Sequence, residues 1–293
     1  MKALAVKALY SVLGRLSLNS LRRTGFFLGT LLYYLSPSRR KAAIKNARVI
    51  GAENPVKTAR KACRHNMASF MESFYNGRID QDFVKNRLKV TFIGEKPDFE
   101  RTYFIVTAHF GSWELSSGLY RNYIQKDLGL LARRFKDPEI DNLVQKLRGD
   151  SEMITYLHHR NCTEDMLRLL GDGVNIAALL DHSATMKDCI MVPLFGIKTT
   201  FIKGIPTLSA KMDIPLLPAF FKRTNEGVEL IMYPPIEPDK SLKPRERIYD
   251  LALRVNKVYE DLFSRYPEQW YLIHKRFKKT EDENGEITDS FYR

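Results

Sequence analysis

Residues 103–115 read Tyr103-Phe104-Ile105-Val106-Thr107-Ala108-His109-Phe110-Gly111-Ser112-Trp113-Glu114-Leu115. The first six are nearly all apolar and β-prone, without polar alternation, which is the pattern of a strand buried on both faces. The run ends at a histidine, a Gly-Ser turn follows, and helical apolar spacing begins at 115–125. A buried strand that passes through a glycine turn into a helix opens a β-α unit. The same alternation continues outward. Short β-rich runs lie at 89–93, 175–180, 189–194, 216–221 and 228–233, with helical patterns at 55–75, 138–148, 163–170, 202–211 and 244–265. The chain is therefore expected to be α/β, a single domain with a central, mostly parallel sheet flanked by helices.

The 293 residues suffice for one large core, and 44% hydrophobic with 28% charged residues excludes disordered and fibrous classes. Cys63, Cys162 and Cys189 are scattered, so neither a disulfide framework nor a zinc site is expected. The formal charge is +13, from 47 Lys and Arg against 34 Asp and Glu. Most of it is local. Residues 1–52 hold ten basic residues and no acid, leaving a nearly balanced body.

In that segment Lys7, Ser11, Arg15, Asn19 and Arg22 fall on one helical face, and Val6, Leu9, Val12, Leu13 and Leu16 on the other. A second apolar run, 24–38, would span roughly 22 Å as a helix, short of the ~30 Å hydrocarbon core. Arg22 and Arg23 precede it, and Arg39, Arg40 and Lys41 follow. This pattern suits a helix lying in, or dipping into, an anionic interface. A helical hairpin packed on the core with a solvated basic face is the structural alternative. Lys7 interrupts the apolar region and argues against a signal peptide. Nucleic acid is not the expected partner, because the bases alternate with large apolar side chains. The expected organisation is a membrane-associating segment at 1–48, the α/β domain at 49–279, and a polar tail at 280–293 that frays.

His109 and Glu114 carry the candidate chemistry. On one continuous helix a spacing of five separates side chains by about 140° and they cannot meet. If the histidine ends the strand and the glutamate opens the helix, the turn can fold the carboxylate back, with Gly111 permitting the backbone conformation. A carboxylate on one imidazole nitrogen fixes the tautomer and leaves the other as general base. The spacing alone occurs by chance in many chains, and a histidine that merely caps a strand end fits it too. His65 reads as structural, and the pair His158-His159 as surface. No metal-ligand spacing, Gly-rich phosphate loop or G-x-S-x-G elbow occurs.

His109-Phe110-Gly111-Ser112-Trp113-Glu114-Leu115 resembles the histidine box of the bacterial lipid A biosynthesis acyltransferases, within the wider glycerolipid and lysophospholipid acyltransferases that carry His-x4-Asp/Glu. Further boxes follow in order. Residues 136–143 with Arg148 resemble the family's asparagine/aspartate-proline stretch and its arginine, and Leu180-Asp181-His182 its aspartate followed by Gln or His. Val192-Pro193-Leu194-Phe195-Gly196 with Thr199 and Thr200 resembles its VPFFG box, and 215–220 its apolar strand. Residues 267–278, from Pro267 to Lys278, resemble its closing box, and Arg39, Arg40 and Asn46 its upstream basic stretch. The resemblance covers about 30–279. Ser112 stands where Asn is commoner, Ile273 where Trp is commoner, and the N-terminal apolar run is shorter than a full anchor.

The resemblance implies transfer of a fatty acyl chain from a thioester, usually on acyl carrier protein, to a hydroxyl of a lipid A precursor or related phosphoglycolipid. It implies His109 as general base and Glu114 as its orienting carboxylate, with no metal or organic cofactor. Backbone amides of Gly111 and Ser112 are oxyanion candidates. Arg148, Asp181, Thr199, Thr200, Arg276 and Lys278 are substrate-binding candidates. Arg148 also fits a helix C-terminal arginine, Asp181 a turn cap, and Arg276 and Lys278 solvated charges. The expected setting is the cytoplasmic face of a bacterial inner membrane, monotopic or N-terminally anchored. Two alternatives are a membrane-lipid or lysophospholipid acyltransferase using acyl-CoA or acyl carrier protein, and a non-catalytic basic protein that binds anionic membranes.

Overall fold

The computed structural model describes residues 12–132, 137–147, 153–158 and 162–292. At the centre, β2 (Phe104–Thr107) lies between β5 (Asn175–Leu179) and β8 (Leu216–Arg223), parallel to both. β3 (Leu128–Ala132) and β4 (Ile154–His158) extend the sheet past β5, and β9 (Val228–Met232) and β1 (Leu88–Phe92) extend it past β8. The order is β1-β9-β8-β2-β5-β3-β4, and β8–β9 is its one antiparallel pair. The apolar run at 103–108 is thus the middle of the sheet, where both faces are covered.

One face, through Phe104, Val106 and Phe220, packs against α9 (Pro244–Arg265), whose Leu251, Val255, Tyr259 and Phe263 are buried. The other, through Ile105, Ala219 and Phe221, meets α4 (Gln81–Arg87) and α5 (Ser116–Tyr123), which contribute Phe83 and Leu119. The remaining helices of the sheet layer are α6 (Pro138–Leu147), α7 (Thr163–Gly171) and α8 (Gly204–Met212). A second sheet, order β11-β10-β7-β6, joins β6 (Cys189–Leu194), β7 (Ile197–Ile202), β10 (Thr280–Glu281) and β11 (Ile287–Thr288).

Ahead of α4 in the chain, the described residues form α1 (Leu18–Leu35), α2 (Pro37–Val49) and α3 (Pro55–Asn76). Ser17 caps α1 by accepting the Ser20 N–H, and Asn54 caps α3 by accepting that of Lys57. α1 and α3 touch backbone to backbone: a Cβ on Gly25 would stand 2.3 Å from Ala68 Cα, and one on Gly29 2.4 Å from Arg64 Cα. Leu18, Leu21 and Tyr33 of α1 are buried, while Phe27, Leu31, Tyr34 and Leu35 remain exposed. Among the described residues, no helix is long and apolar enough to cross a membrane. Part of the expected amphipathic face, residues 1–11, lies outside the described residues.

Several elements depart from the sequence reading. β3, β4 and β7 were not expected, and because 197–202 is strand, the helix expected at 202–211 starts at Gly204. α2 hides in a basic stretch, where Ala42, Ala43 and Ala47 are buried and Ile44 and Val49 pack beside them. The tail does not fray. Thr280 pairs with Thr199, and the Tyr292 hydroxyl donates to Asn46 Oδ1 at 2.5 Å.

Candidate active site

β2 and β5 run parallel in a register that pairs Thr107 with Leu179. Two residues beyond that pair stand His109 on one strand end and Asp181 on the other. Equal steps along parallel neighbours bring the two side chains together. His109 Nδ1 lies 2.8 Å from Asp181 Oδ1, and Trp270 Nε1 donates to Asp181 Oδ2 at 3.0 Å. Asp181 is 2% exposed, and both its oxygens are held by protein groups.

An ionised carboxylate only accepts, so Nδ1 of His109 carries a proton and donates it to Asp181. Burial pushes the Asp181 carboxyl up, but His109 and the Trp270 hydrogen bond outweigh it and hold the group well below the usual carboxylate range. The His109 side chain retains 19% exposure, so the ring reaches solvent while the carboxylate beside it does not.

The turn after His109 is clamped from two sides. Phe110 bridges to Trp270, the Tyr271 N–H donates to His109 O at 3.0 Å, and the Gly111 N–H donates to Gln269 O at 2.9 Å. The Ser112 N–H donates to Phe221 O at 2.7 Å. Gly111 has φ +60°, and a Cβ there would stand 2.1 Å from Phe221 O. Only glycine fits.

Beneath the turn lies a buried ion cluster. Glu72, on α3, accepts from Arg22 Nε at 2.6 Å, from Arg223 Nε at 3.0 Å and Nη2 at 2.6 Å, and from Ser112 Oγ at 3.0 Å. Arg223 also donates to Gly111 O and to His65 Nδ1, both at 2.8 Å. Burial alone would raise the Glu72 carboxyl, yet Arg223 and Arg22 bring it below its ordinary value. Burial, aided by Arg223, pushes His65 down to about 3, so it stays neutral and accepts from the guanidinium.

On the other side of His109 the imidazoles stack. His182 lies on it with centroids 3.9 Å apart and planes 4° apart, and His274 follows on His182 at 4.2 Å and 27°. The Ser183 N–H donates to His274 Nε2 at 3.2 Å, which makes that nitrogen an acceptor. Trp113 meets His109 edge-on at 5.5 Å.

The expected site residues are redistributed. The carboxylate hydrogen-bonded to His109 Nδ1 is Asp181, where the sequence pointed to Glu114. Glu114 is buried in the 3-10 turn Trp113–Leu115. Asp181 was expected to touch substrate and instead hydrogen-bonds His109. Gly111 and Ser112 were oxyanion candidates, but both amides already donate to carbonyls. Thr199 and Thr200 are fully buried: Thr199 Oγ1 donates to Lys279 O at 2.7 Å, and Thr200 Oγ1 accepts the Ala184 N–H at 3.1 Å. They fasten the closing segment and the loop after β5 rather than offering hydroxyls to a ligand. Arg276, also expected at substrate, is 1% exposed. Lys278 is exposed, and Arg148 lies outside the described residues.

Reading the sequence did not single out His182 or His274 individually, although each sits in a box that resembled the family. Glu72 and Arg223 had no local signal, and Arg22, read as part of the basic face toward an interface, is instead buried against Glu72. Among the described residues no group of three or more His, Cys, Asp or Glu is placed to hold a metal ion.

The model of the family described as bacterial lipid A biosynthesis acyltransferase matches residues 2–279. The lipid A biosynthesis lauroyltransferase of Escherichia coli (strain K12) is 26% identical over 186 residues, covering 61% of this chain and 57% of that relative's own length. The crystal structure of the 1-acyl-sn-glycerophosphate (LPA) acyltransferase PlsC from Thermotoga maritima aligns with TM-score 0.37 at 13% identity, over 82% of this chain and 98% of that one.

Proposed function

Because this chain belongs to the bacterial lipid A biosynthesis acyltransferase family, we propose that it moves a fatty acyl chain from an acyl carrier protein thioester to a hydroxyl of a lipid A precursor or related phosphoglycolipid. The observation that carries this reading is the base itself: His109 at the end of the central strand, partly exposed, its Nδ1 held by the buried Asp181. Nε2 takes the proton from the acceptor hydroxyl as its oxygen attacks the thioester carbonyl. Asp181 stabilises the imidazolium so formed. The tetrahedral intermediate collapses, the C–S bond breaks, and the leaving thiolate takes the proton back from Nε2. Ester and thiol are the products, and no covalent enzyme intermediate is needed.

The buried Glu114 is proposed as a second carboxylate that steadies the charged imidazole. The exposed apolar face of α1, with Arg23 and Arg40 near it, is proposed to rest on the anionic cytoplasmic leaflet of the inner membrane.

Acyl transfer from acyl carrier protein to a phosphorylated lipid, assayed in membranes that hold the full chain, tests this reading. His109→Ala should lower transfer by roughly 10²- to 10⁴-fold with folding unchanged. Full activity in that variant would remove the assignment. Mass spectrometry of membrane lipids with and without the gene should differ by one acyl chain on the acceptor. A lysophospholipid in place of the phosphoglycolipid would move the substrate class.

A further inference from the structure

Behind the base lies an arrangement that general-base chemistry alone does not require. Three imidazoles stack in a row, His109, His182 and His274, and only the first is needed to move a proton. Next to them is Arg276, 1% exposed, whose Nε, Nη1 and Nη2 are all buried without a hydrogen-bond partner among the described residues. A buried guanidinium with no partner is costly to a fold. Arg223, equally buried in the same molecule, is fully paired. The cost at Arg276 therefore calls for a compensating role.

We propose that His182 and Arg276 are positioning residues for the base at His109, the first by stacking flat on its ring, the second by placing a fixed unpaired positive charge behind the stack. With Cγ bonded to the chain and Nδ1 to Asp181, the ring can still tilt about the axis joining those two points. A second planar ring at 3.9 Å and 4° removes this freedom. Nε2 then points one way, toward the acceptor hydroxyl.

The charge acts on where protons go. Burial is the largest effect on both inner rings. The field of Arg276 works in the same direction, and His182 and His274 end at about 3 and about 4. Around the stack stand Asp181, Arg39 of α2, and the phenols Tyr259, Tyr271 and Tyr292. Asp181 is the one group among those named that draws a proton toward the inner rings, and Arg276 opposes it. With both inner rings neutral, a proton taken from substrate stays on His109 and is available to the leaving group.

This inference rests on His109 being the base, so His109→Ala is measured in the same assay on full-length protein in membranes. His182→Ala should lower kcat about 10- to 100-fold with KM within about twofold. His182→Phe, which restores a flat ring without nitrogens, should return kcat to within about threefold of wild type. Arg276→Met should melt at or above the wild-type temperature, because it removes an unpaired buried charge. It should also move the acid limb of the kcat profile to higher pH by about one unit, whereas Arg276→Lys should keep the wild-type profile. An Ala variant within twofold of wild type, or a Phe variant no better than Ala, overturns the role of His182. An unmoved pH profile in Arg276→Met, or a fall in its melting temperature, overturns that of Arg276. If His109→Ala is active, the general-base reading itself fails. If it is inactive while these outcomes fail, this inference falls alone.

Discussion

Two arginines are buried within the core around the same histidine turn and are treated in opposite ways. Arg223 spends its whole guanidinium on protein acceptors: both oxygens of Glu72, the Gly111 carbonyl and His65 Nδ1. Arg276 has no hydrogen-bond partner among the described residues. The first belongs to a paired cluster that ties α1, α3, β8 and the turn into one piece. Breaking such a cluster leaves a bare charge in a low-dielectric interior. The second has no hydrogen bond and is balanced only through space, chiefly by Asp181. A cation that holds the fold together is saturated with bonds, and one retained unsaturated points toward the site's electrostatics.

The contrast can be tested where its largest effect is expected. Asp181→Asn keeps shape, but its amide can donate to His109 Nδ1 and favour the tautomer that has a proton on Nε2. Transfer should fall by roughly 10³- to 10⁴-fold with KM little changed, measured by steady-state kinetics. A loss under tenfold would mean that Asp181 does not set the tautomer.

On the paired side the effect should appear in stability. Glu72→Gln leaves Arg22 and Arg223 facing a neutral amide and should cost about 3 to 5 kcal/mol in urea unfolding. A cost below about 1 kcal/mol would break the contrast, because the cluster would then be as dispensable as a surface pair.

Acid titration reaches both regions. His65 beside Arg223 is held at about 3, and His182 and His274 beside Arg276 at about 3 and about 4, burial being the largest cause in each. Their ordinary value is 6.5, so below it the unfolded chain binds protons that the folded chain refuses. Stability should therefore fall as pH drops from about 6.5 toward about 4, by roughly 1 kcal/mol per pH unit for each histidine. His65→Gln should remove one share of that slope. An unchanged slope would show that His65 does not titrate in this window.

The smallest effect is expected on the surface. Arg101 and Glu237 form a two-pronged pair at 2.8 and 3.2 Å, with side chains 46% and 52% exposed. Solvent screens them, and Arg101→Ala should change unfolding free energy by less than about 1 kcal/mol. A larger change would mean that pairing geometry outweighs burial in this protein.

Much of the fold was legible in the sequence, and the site only in outline. The apolar run at 103–108, the glycine turn and the helix after it are local patterns, and all three stand where they were read. β3 and β4 escaped notice because Leu128–Ala132 and Ile154–His158 are short runs whose character comes from pairing with each other and with β5. The tail looked polar and free. Its order comes from Thr280 on β7 and Tyr292 on Asn46, contacts to residues distant in the chain. The carboxylate hydrogen-bonded to His109 was sought five residues away and lies 72 residues away.

The sequence by itself determined the identity of the strand, the glycine on which the turn depends, and the family to which the ordered boxes belong. Each of these depends on a residue and its near neighbours: side-chain pattern, backbone freedom, the order of motifs. Which carboxylate holds His109, which rings stack on it and which arginine goes unpaired were decided only in the tertiary structure. Parallel register is the physical reason. It sets residue 109 beside residue 181 through the alignment of β2 and β5, and packing of the closing segment then brings Trp270, His274 and Arg276 onto that pair.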